Sequence, residues 1–194
     1  MNKIATLLLL CTALFAQQKG TYTDMRDGKT YKTVKIGKQI WMAENLNYDM
    51  KGSKCYDNEP VNCQIYGRLY DWYMAIKACP KGWRLPTEAN FEALMETVNK
   101  SPKFLKAASG WNDFKGSEEI PGNGIDIYGF SALPGGNSWS NGRFYNGGKD
   151  GYWWHASSYG DVAFYLHIKN NDEYTLNSGN SKNSSLYSVR CIQN

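Results

Sequence analysis

The cysteines are the residues of this sequence with the most definite chemistry. After the N-terminal stretch four remain, at Cys55, Cys63, Cys79 and Cys191. Thiolates can bind zinc or carry out redox exchange, but both roles favour a Cys-x-x-Cys spacing that does not occur here. Only 2 histidines, His155 and His167, are present to complete a metal site. An even number of cysteines therefore predicts structural disulfides.

Four cysteines allow three pairings. We favour Cys55–Cys63 as a local link and Cys79–Cys191 as a long-range one. The second would close a loop of 191 − 79 = 112 positions. In the chain-entropy model such a loop restricts the unfolded chain by roughly 4 to 5 kcal/mol. Both bonds require an oxidising compartment.

The N-terminus predicts export to such a compartment. Lys3, an apolar stretch over residues 4–15 and the small Ala16 have the outline of a signal peptide, residues 1–16. Cleavage after Ala13 is the alternative. Lipidation at Cys11 is disfavoured because four leucines, and not a small residue, come before it.

No transmembrane segment is predicted. The N-terminal apolar stretch is shorter than the roughly 18 to 20 residues of a membrane-spanning helix, and no later segment is continuously apolar. We therefore expect a secreted, periplasmic or surface-located protein.

The remaining residues, 17–194, number 194 − 16 = 178 and are predicted to form a single domain. Without Lys3 their net charge is 21 − 18 = +3, and it is spread along the chain without a basic block. Nucleic acid is therefore not an expected partner. Aromatic residues make up 14% of the chain, which is typical of extracellular recognition domains, although aromatics more often fill cores.

Alternating patterns predict strands at both ends of this domain. Residues 21–42 alternate β-prone runs with turn signals at Gly28 and Gly37, which predicts an antiparallel meander. Residues 45–62 have no period and are predicted to be a loop closed by a disulfide. Alternation returns from Val162 to Ile168, and residues 186–192 are predicted as the last strand, with the first and last elements paired.

Two helices are predicted between these strands. Apolar residues recur at i, i+3, i+4 and i+7 in two runs: Leu69, Trp72, Tyr73 and Ile76, and then Phe91, Leu94, Met95 and Val98. Pro80 stops the first helix, and Thr87 is a candidate N-cap of the second. Residues 101–151 are rich in Gly, Asn and Ser and predict a long excursion of loops and short strands, where recognition tends to lie. The order of elements predicts an α+β fold.

Six residues at the junction between these loops and the next strands form the candidate binding site. They are Trp139, Arg143, Tyr145, Tyr152, Trp153 and Trp154. Sugar rings have apolar C–H faces that stack on aromatic rings, and an arginine can bond their hydroxyls. Neighbouring residues on a strand point to opposite faces, so at least one of Trp153 and Trp154 is expected in the core.

Seven ordered blocks of the sequence resemble a known family. They are Asp24 to Gly28 with Tyr31, Ile40 to Tyr48, Tyr66 to Trp72, Cys79 to Thr87, Gly129 to Gly136, Gly151 to Trp154 and Ser188 to Cys191. The family is the Fibrobacter succinogenes major paralogous domain, and the resemblance extends over nearly all of residues 17–194. It implies a bacterial protein and assigns no activity.

A shorter resemblance concerns Arg84-Leu-Pro-Thr-Glu88, followed by Phe91 and closed by Val189-Arg-Cys191. These residues are similar to the formylglycine-generating-enzyme and C-type-lectin-like superfamily, which implies a lectin-like α+β fold with chain ends that meet. The oxidase activity of its formylglycine-generating branch would need a reactive cysteine pair that binds copper, and two disulfides leave none. Its iron enzymes use a histidine cluster, which 2 histidines cannot supply.

Calcium is the cofactor that the lectin resemblance raises, and we do not expect it. Trp111-Asn112-Asp113 is similar to the Trp-Asn-Asp run of sugar-binding lectins, but it comes before the long loops and not ahead of the terminal strand. Asp126, Asp150 and Asp161 offer the oxygen ligands that Ca²⁺ prefers. Scattered acids in glycine-rich loops are usually turn formers, however. The sequence therefore predicts no cofactor and no bound metal.

The sequence as a whole predicts a non-catalytic binding or structural module, secreted or on the cell surface of a bacterium, that engages polysaccharide or a cell-surface protein. An enzyme of the oxidase type and an envelope scaffold that binds a protein partner are the two alternatives.

Overall fold

A computed structural model describes residues 17–194 of the chain. The predicted signal peptide, with its alternatives at Ala13 and Cys11, lies outside the described residues. Within them the α-helices are α1 (Pro60–Tyr66), α2 (Trp72–Ala78) and α3 (Glu88–Thr97). The strands are β1 (Lys19–Thr23), β2 (Thr30–Ile36), β3 (Gln39–Met42), β4 (Leu69–Tyr70), β5 (Trp83–Arg84), β6 (Phe114–Lys115), β7 (Glu119–Ile120), β8 (Asn137–Trp139), β9 (Phe144–Tyr145), β10 (Asp150–Tyr159), β11 (Val162–Lys169), β12 (Tyr174–Ser181), β13 (Ser185–Ser188) and β14 (Ile192–Gln193).

The first sheet contains the predicted meander. Its strand order is β1-β2-β3-β14-β5, and every neighbouring pair is antiparallel. Gly28 and Gly37 stand at the two turns with φ of 75° and 58°, a left-handed conformation that glycine adopts at little cost. The C-terminal strand β14 pairs with β3 through Ile192 and Trp41, so the start and the end of the domain meet in one sheet.

The second sheet has the order β12-β11-β10-β13-β8-β9, and β4 also pairs with β13. The long β10–β11 hairpin lies near its middle, and β9 lies at its edge. The prediction of one last strand over residues 186–192 was wrong: β13 belongs to this sheet and β14 to the first one. Where the chain changes sheets between them, the Leu46 amide donates to the Val189 carbonyl and the Met42 amide donates to the Cys191 carbonyl. The alternation of residues cannot show which sheet each part of the predicted strand joins.

Helix α3 follows its prediction closely. Thr87 is the N-cap, and it forms a capping box in which its hydroxyl accepts from the Asn90 amide and Asn90 Oδ1 accepts from the Thr87 amide. The whole predicted apolar stripe is buried, namely Phe91, Leu94, Met95 and Val98.

Helix α2 differs from its prediction at the N-terminus. Leu69 lies in β4, and the helix begins only after Asp71, whose carboxylate accepts from the Met74 amide at 2.7 Å. The face that α2 buries is formed by Trp72, Ala75 and Ala78. Tyr73 and Ile76, two residues of the predicted stripe, are exposed to 48% and 40%. The apolar spacing predicts a helix that includes Leu69, but the N-cap at Asp71 and the pairing of Leu69 with Ser188 make the helix begin later.

The prediction of two helices, with a loop over residues 45–62, missed helix α1. Pro60 occupies its first turn, a position where the missing N–H of proline costs nothing. Val61 and Ile65 are exposed, so the helix has no apolar stripe to mark it in the sequence. Helices together with mostly antiparallel sheets make the fold α+β, as predicted. No helix within residues 17–194 is long and apolar enough to cross a membrane.

Both predicted disulfides are present. Cys55 pairs with Cys63, and Cys79 pairs with Cys191 across a sequence separation of 112. Cys79 directly follows α2, whereas Cys191 lies beside β14. The long-range bond therefore joins the helical segment to the C-terminal end of the chain.

Strand β10 lies between two hydrophobic clusters. Trp153 packs in one of them, together with Trp41 and Phe91. Trp154 packs in the other, and its ring lies 4.4 Å from that of Tyr187. The opposite orientation of neighbouring residues on a strand thus buries both tryptophans, each in a different cluster.

Candidate functional site

The candidate site is the β8–β9 hairpin at the edge of the second sheet. Its turn is closed by backbone hydrogen bonds from Trp139 to the Arg143 carbonyl at 3.1 Å and from Gly142 to the Trp139 carbonyl at 2.8 Å. The Asn141 side chain accepts from the Arg143 amide at 2.9 Å. These contacts hold the hairpin in one conformation, so that residues on its strands keep a defined orientation.

Trp139 and Tyr145 form an aromatic pair on this hairpin, which we call the Trp139 platform. Their ring centroids are 4.8 Å apart, and Trp139 is 49% exposed. With the Asn137 amide turned so that its oxygen faces the indole, Trp139 Nε1 donates to Asn137 Oδ1 at 2.8 Å. Because its only polar atom is bonded within the protein, the exposed part of the indole is an apolar, electron-rich surface.

A shallow groove of about 240 Å³ lies next to the platform. Besides Trp139 its walls include Lys51, Lys54, Asp71 and Asn183. These side chains come from a loop, the N-cap of α2 and the turn before β13. They carry both hydrogen-bond donors and acceptors, which suits the hydroxyl groups of a sugar. No sequence signal marks them, because they are brought together only by the tertiary fold.

The Cys55–Cys63 disulfide places Tyr56 beneath the hairpin. The Tyr56 ring lies 5.4 Å from that of Phe144 in β9, and its hydroxyl accepts from the Gly147 amide at 3.1 Å. A Cβ at Gly147 would approach the Tyr56 ring to 2.5 Å, so glycine is needed for this close contact. Burial raises the pKa of the Tyr56 hydroxyl above its usual value. The local disulfide thereby supports the hairpin that carries the platform.

The structure divides the six predicted binding residues into two groups. Trp139, Arg143 and Tyr145 lie together on the hairpin, where Arg143 is exposed. Trp153 and Trp154 are 0% exposed, and their indole N–H groups donate to Asn45 Oδ1 and to the Tyr70 carbonyl, both at 2.8 Å. Their hydrogen bonds as well as their burial place these two residues in the core.

Tyr152 also belongs to the buried group, at 8% exposure. Its ring stacks on His167 at 4.3 Å, and its hydroxyl donates to Asp150 at 3.0 Å. Burial and the neighbouring carboxylate raise its pKa well above the usual value for tyrosine. Tyr152 therefore links the two long strands of the sheet and offers little surface to a ligand.

The three acids considered as oxygen ligands lie apart. Asp126 accepts from the amide and the hydroxyl of Ser131. Asp150 and Asp161 stand at opposite ends of the β10–β11 hairpin, since Asp150 pairs with Lys169 and Asp161 lies in the turn between Tyr159 and Val162. Among residues 17–194 there is no group of three or more His, Cys, Asp or Glu placed to hold a metal ion.

The class of protein that these observations define is an α+β domain with two disulfides and an exposed aromatic hairpin at the edge of a sheet. Residues 34–193 match the model of one family, described as the Fibrobacter succinogenes major domain. The match covers most of the chain, and the chain belongs to this family. No curated protein and no solved structure matches it.

Proposed function

We propose that this chain is an exported, non-catalytic binding module of a bacterial cell surface, and that its Trp139 platform binds polysaccharide. The observation that carries the proposal is the half-exposed Trp139, whose indole N–H is bonded to Asn137 and whose ring lies beside Tyr145. The C–H groups of a sugar ring carry a small positive charge, and the face of an aromatic ring is negative. A rigid aromatic pair therefore suits the flat side of a sugar.

The shape of the site favours an insoluble polysaccharide. The platform lies at a sheet edge next to a shallow groove, and not in a deep pocket. Neighbouring chains of an insoluble polymer present many sugar rings on one surface, which a shallow site can contact. Lys51, Asp71 and Asn183 in the groove supply hydrogen bonds to the hydroxyls at the edge of that surface.

Export is supported by the disulfides. Two such bonds within one chain are characteristic of the periplasm, the cell surface and the extracellular space. The absence of catalysis is supported by the same bonds, because the four cysteines of residues 17–194 are all oxidised and leave no thiolate in that part of the chain to bind copper. His155 is fully buried and hydrogen-bonded, so it is not available to a substrate.

We also propose that the fold is of the C-type-lectin-like kind. Two observations support this: β14 pairs with both β3 and β5, and the long strands β10 and β11 form a hairpin in the second sheet. Such folds bring the chain ends together and leave long loops free for recognition. Here residues 101–149 contain only short strands and one short 3-10 turn.

The test is retention of the purified, exported protein on insoluble plant and bacterial polysaccharides, with and without calcium. We expect retention that does not depend on calcium, and loss of it in Trp139→Ala. Tyr159→Ala is the matched control, because Tyr159 is 84% exposed but lies in the β10–β11 hairpin.

Two outcomes would contradict the proposal. One is no retention on any polysaccharide, and the other is equal retention of Trp139→Ala and the unaltered protein. If a protein instead crosslinks to the chain in a fixed ratio while all polysaccharides fail, the envelope scaffold takes the place of the glycan-binding module.

A further inference from the structure

A second concave surface, of about 810 Å³, shares no lining residue with the groove beside the Trp139 platform. Its volume is within the range of sites that bind small ligands, roughly 300 to 1,000 Å³. One wall is formed by residues 111–115, and the other by Lys149, Asp150, Lys169 and Asn170. We call this surface the Asn112 cleft.

The two walls of the Asn112 cleft are held together by hydrogen bonds. The Asn112 amide donates to the Gly148 carbonyl at 2.7 Å, and Asn170 Nδ2 donates to the Asn112 carbonyl at 3.1 Å. Beneath them, the fully buried Lys106 Nζ donates to the Asn170 carbonyl at 3.0 Å and lies 4.7 Å from the ring centre of Trp111. The cleft is therefore formed before any ligand arrives, which lowers the entropy cost of binding.

Several polar groups in the cleft have unused hydrogen-bonding capacity. The side-chain amide of Asn112 makes no hydrogen bond within residues 17–194 and lies against Gly148. Asn123 uses Oδ1 to accept from the Trp111 amide, and its Nδ2 remains free among the described residues. Asp113 uses one carboxylate oxygen for the Gly122 amide. Carboxamides both donate and accept, as sugar hydroxyls do.

The charges of the cleft balance. Three basic residues, Lys115, Lys149 and Lys169, stand against three acidic ones, Asp113, Glu119 and Asp150. Lys169 is already paired with Glu173 at 2.7 Å, and Lys115 is the strand partner of Glu119. A phosphate or a polyacid would need an excess of positive charge. The half-buried Phe114 adds an apolar surface at the cleft wall.

We infer that the Asn112 cleft is a second binding site, and that its ligand is a soluble, uncharged oligosaccharide. The free amides of Asn112 and Asn123 bond the hydroxyls, and Phe114 contacts the C–H side of a sugar ring. This site is larger than the groove beside the platform, at about 810 against 240 Å³, so it suits a single soluble chain or chain end, whereas the platform contacts an extended surface. None of its lining residues belongs to the β8–β9 hairpin.

The experiment is titration of the isotope-labelled exported protein with a panel of neutral hexasaccharides of glucose, xylose and mannose, and with one acidic counterpart. Binding is followed by calorimetry and by amide chemical shifts. We expect shifts at residues 112–115, 148–150 and 169–170 for at least one member of the panel. Asn112→Ala should weaken that binding about three- to tenfold, a loss typical of removing one neutral hydrogen-bonding side chain.

Asn123→Asp is the second variant, since it keeps the oxygen that accepts from Trp111 and replaces only the free donor. We expect it to weaken binding as well, with an unchanged melting temperature. The control is Asn177→Ala, which removes an exposed amide on β12 outside the cleft. Trp139→Ala should bind the oligosaccharide as tightly as the unaltered protein does. This variant therefore distinguishes a wrong inference about the cleft from a wrong proposal about the platform.

The inference would be overturned by any of three results. The first is no binding by any neutral oligosaccharide at millimolar concentration. The second is equal binding by Asn112→Ala, Asn123→Asp and the unaltered protein. The third is tighter binding of an acidic oligosaccharide than of its neutral counterpart, which would show that charge and not hydroxyl recognition governs the cleft.

Discussion

Arg190 donates to Asn45 Oδ1 through both Nε, at 3.0 Å, and Nη2, at 2.7 Å, although the two residues are 145 positions apart. Trp153 donates to the same oxygen. Nη1 of Arg190 donates to the carbonyls of Phe130 and Met42. Burial lowers the pKa of Arg190 to about 9, so it is still charged at neutral pH. Carbonyl and amide oxygens, together with the Phe130 ring at 4.5 Å, stabilise this cation.

Asn45→Ala is expected to lower the free energy of unfolding by about 3 kcal/mol, because it leaves donors of a buried charged group without an acceptor. Urea unfolding followed by tryptophan fluorescence measures the change. Asn177→Ala, an exposed asparagine on β12, is the control and should stay within about 0.5 kcal/mol of the unaltered protein. A similar small effect of Asn45→Ala would show that the Arg190 contacts contribute little.

The two disulfides are expected to differ in their contribution to stability. They close sequence separations of 112 and 8. In the chain-entropy model the Cys79→Ala/Cys191→Ala protein loses about 5 kcal/mol, and the Cys55→Ala/Cys63→Ala protein loses about 2.5 kcal/mol. Denaturant midpoints of the two double variants provide the comparison. Equal losses, or a greater loss for the local bond, would contradict the entropic explanation.

Tyr56→Ala is expected to loosen the β8–β9 hairpin, since Tyr56 contacts Phe144 and Gly147. Hydrogen exchange of the Trp139 amide should become at least about tenfold faster, as expected for a local loss of stability. Tyr56→Phe keeps the ring and should cause a smaller change. Tyr159→Ala is the control, and we expect its exchange rates to match those of the unaltered protein. If both Tyr56 variants also keep the unaltered rates, the hairpin does not depend on Tyr56.

His155 is expected to make the protein less stable in acid. It is fully buried, its Nδ1 accepts from the Ser157 amide, and burial lowers its pKa below the usual 6.5. Below about pH 6.5 the histidine binds a proton in the unfolded chain but stays neutral in the folded protein. The contribution of neutral His155 to stability is therefore complete above about pH 6.5 and is lost as the pH falls. The loss at pH 5 is limited to about 2 kcal/mol. Urea unfolding of His155→Gln between about pH 7 and 5 should show a flatter pH dependence than the unaltered protein; parallel curves would contradict this assignment.

Local features of the sequence predicted several elements correctly. Thr87 and the apolar spacing after it predicted α3, and the glycines of the turns predicted the meander. These signals depend on residues within a few positions of each other. The N-terminus of α2 was predicted less well, because Leu69 fits the apolar period of a helix but pairs with Ser188 in a distant strand. Helix α1 was missed because its apolar residues face solvent.

The candidate site shows the same division. The sequence identified Trp139, Arg143 and Tyr145, which lie on one hairpin, but it grouped them with Tyr152, Trp153 and Trp154. It could not find Lys51, Asp71 and Asn183 of the groove, nor the opposing walls of the Asn112 cleft. Each of these surfaces is assembled from segments that are far apart in the chain.

The sequence by itself determined which residues could pair, cap, turn and alternate, and it determined that four cysteines would form two bonds. Only the tertiary structure decided which aromatic residues reach solvent. Trp139 and Trp153 are the same residue type 14 positions apart, yet one is 49% exposed and the other is fully buried. The reason is the position of each strand: β10 has a neighbour on either side and a hydrophobic cluster on either face, whereas the β8–β9 hairpin ends the sheet and leaves its aromatic pair uncovered.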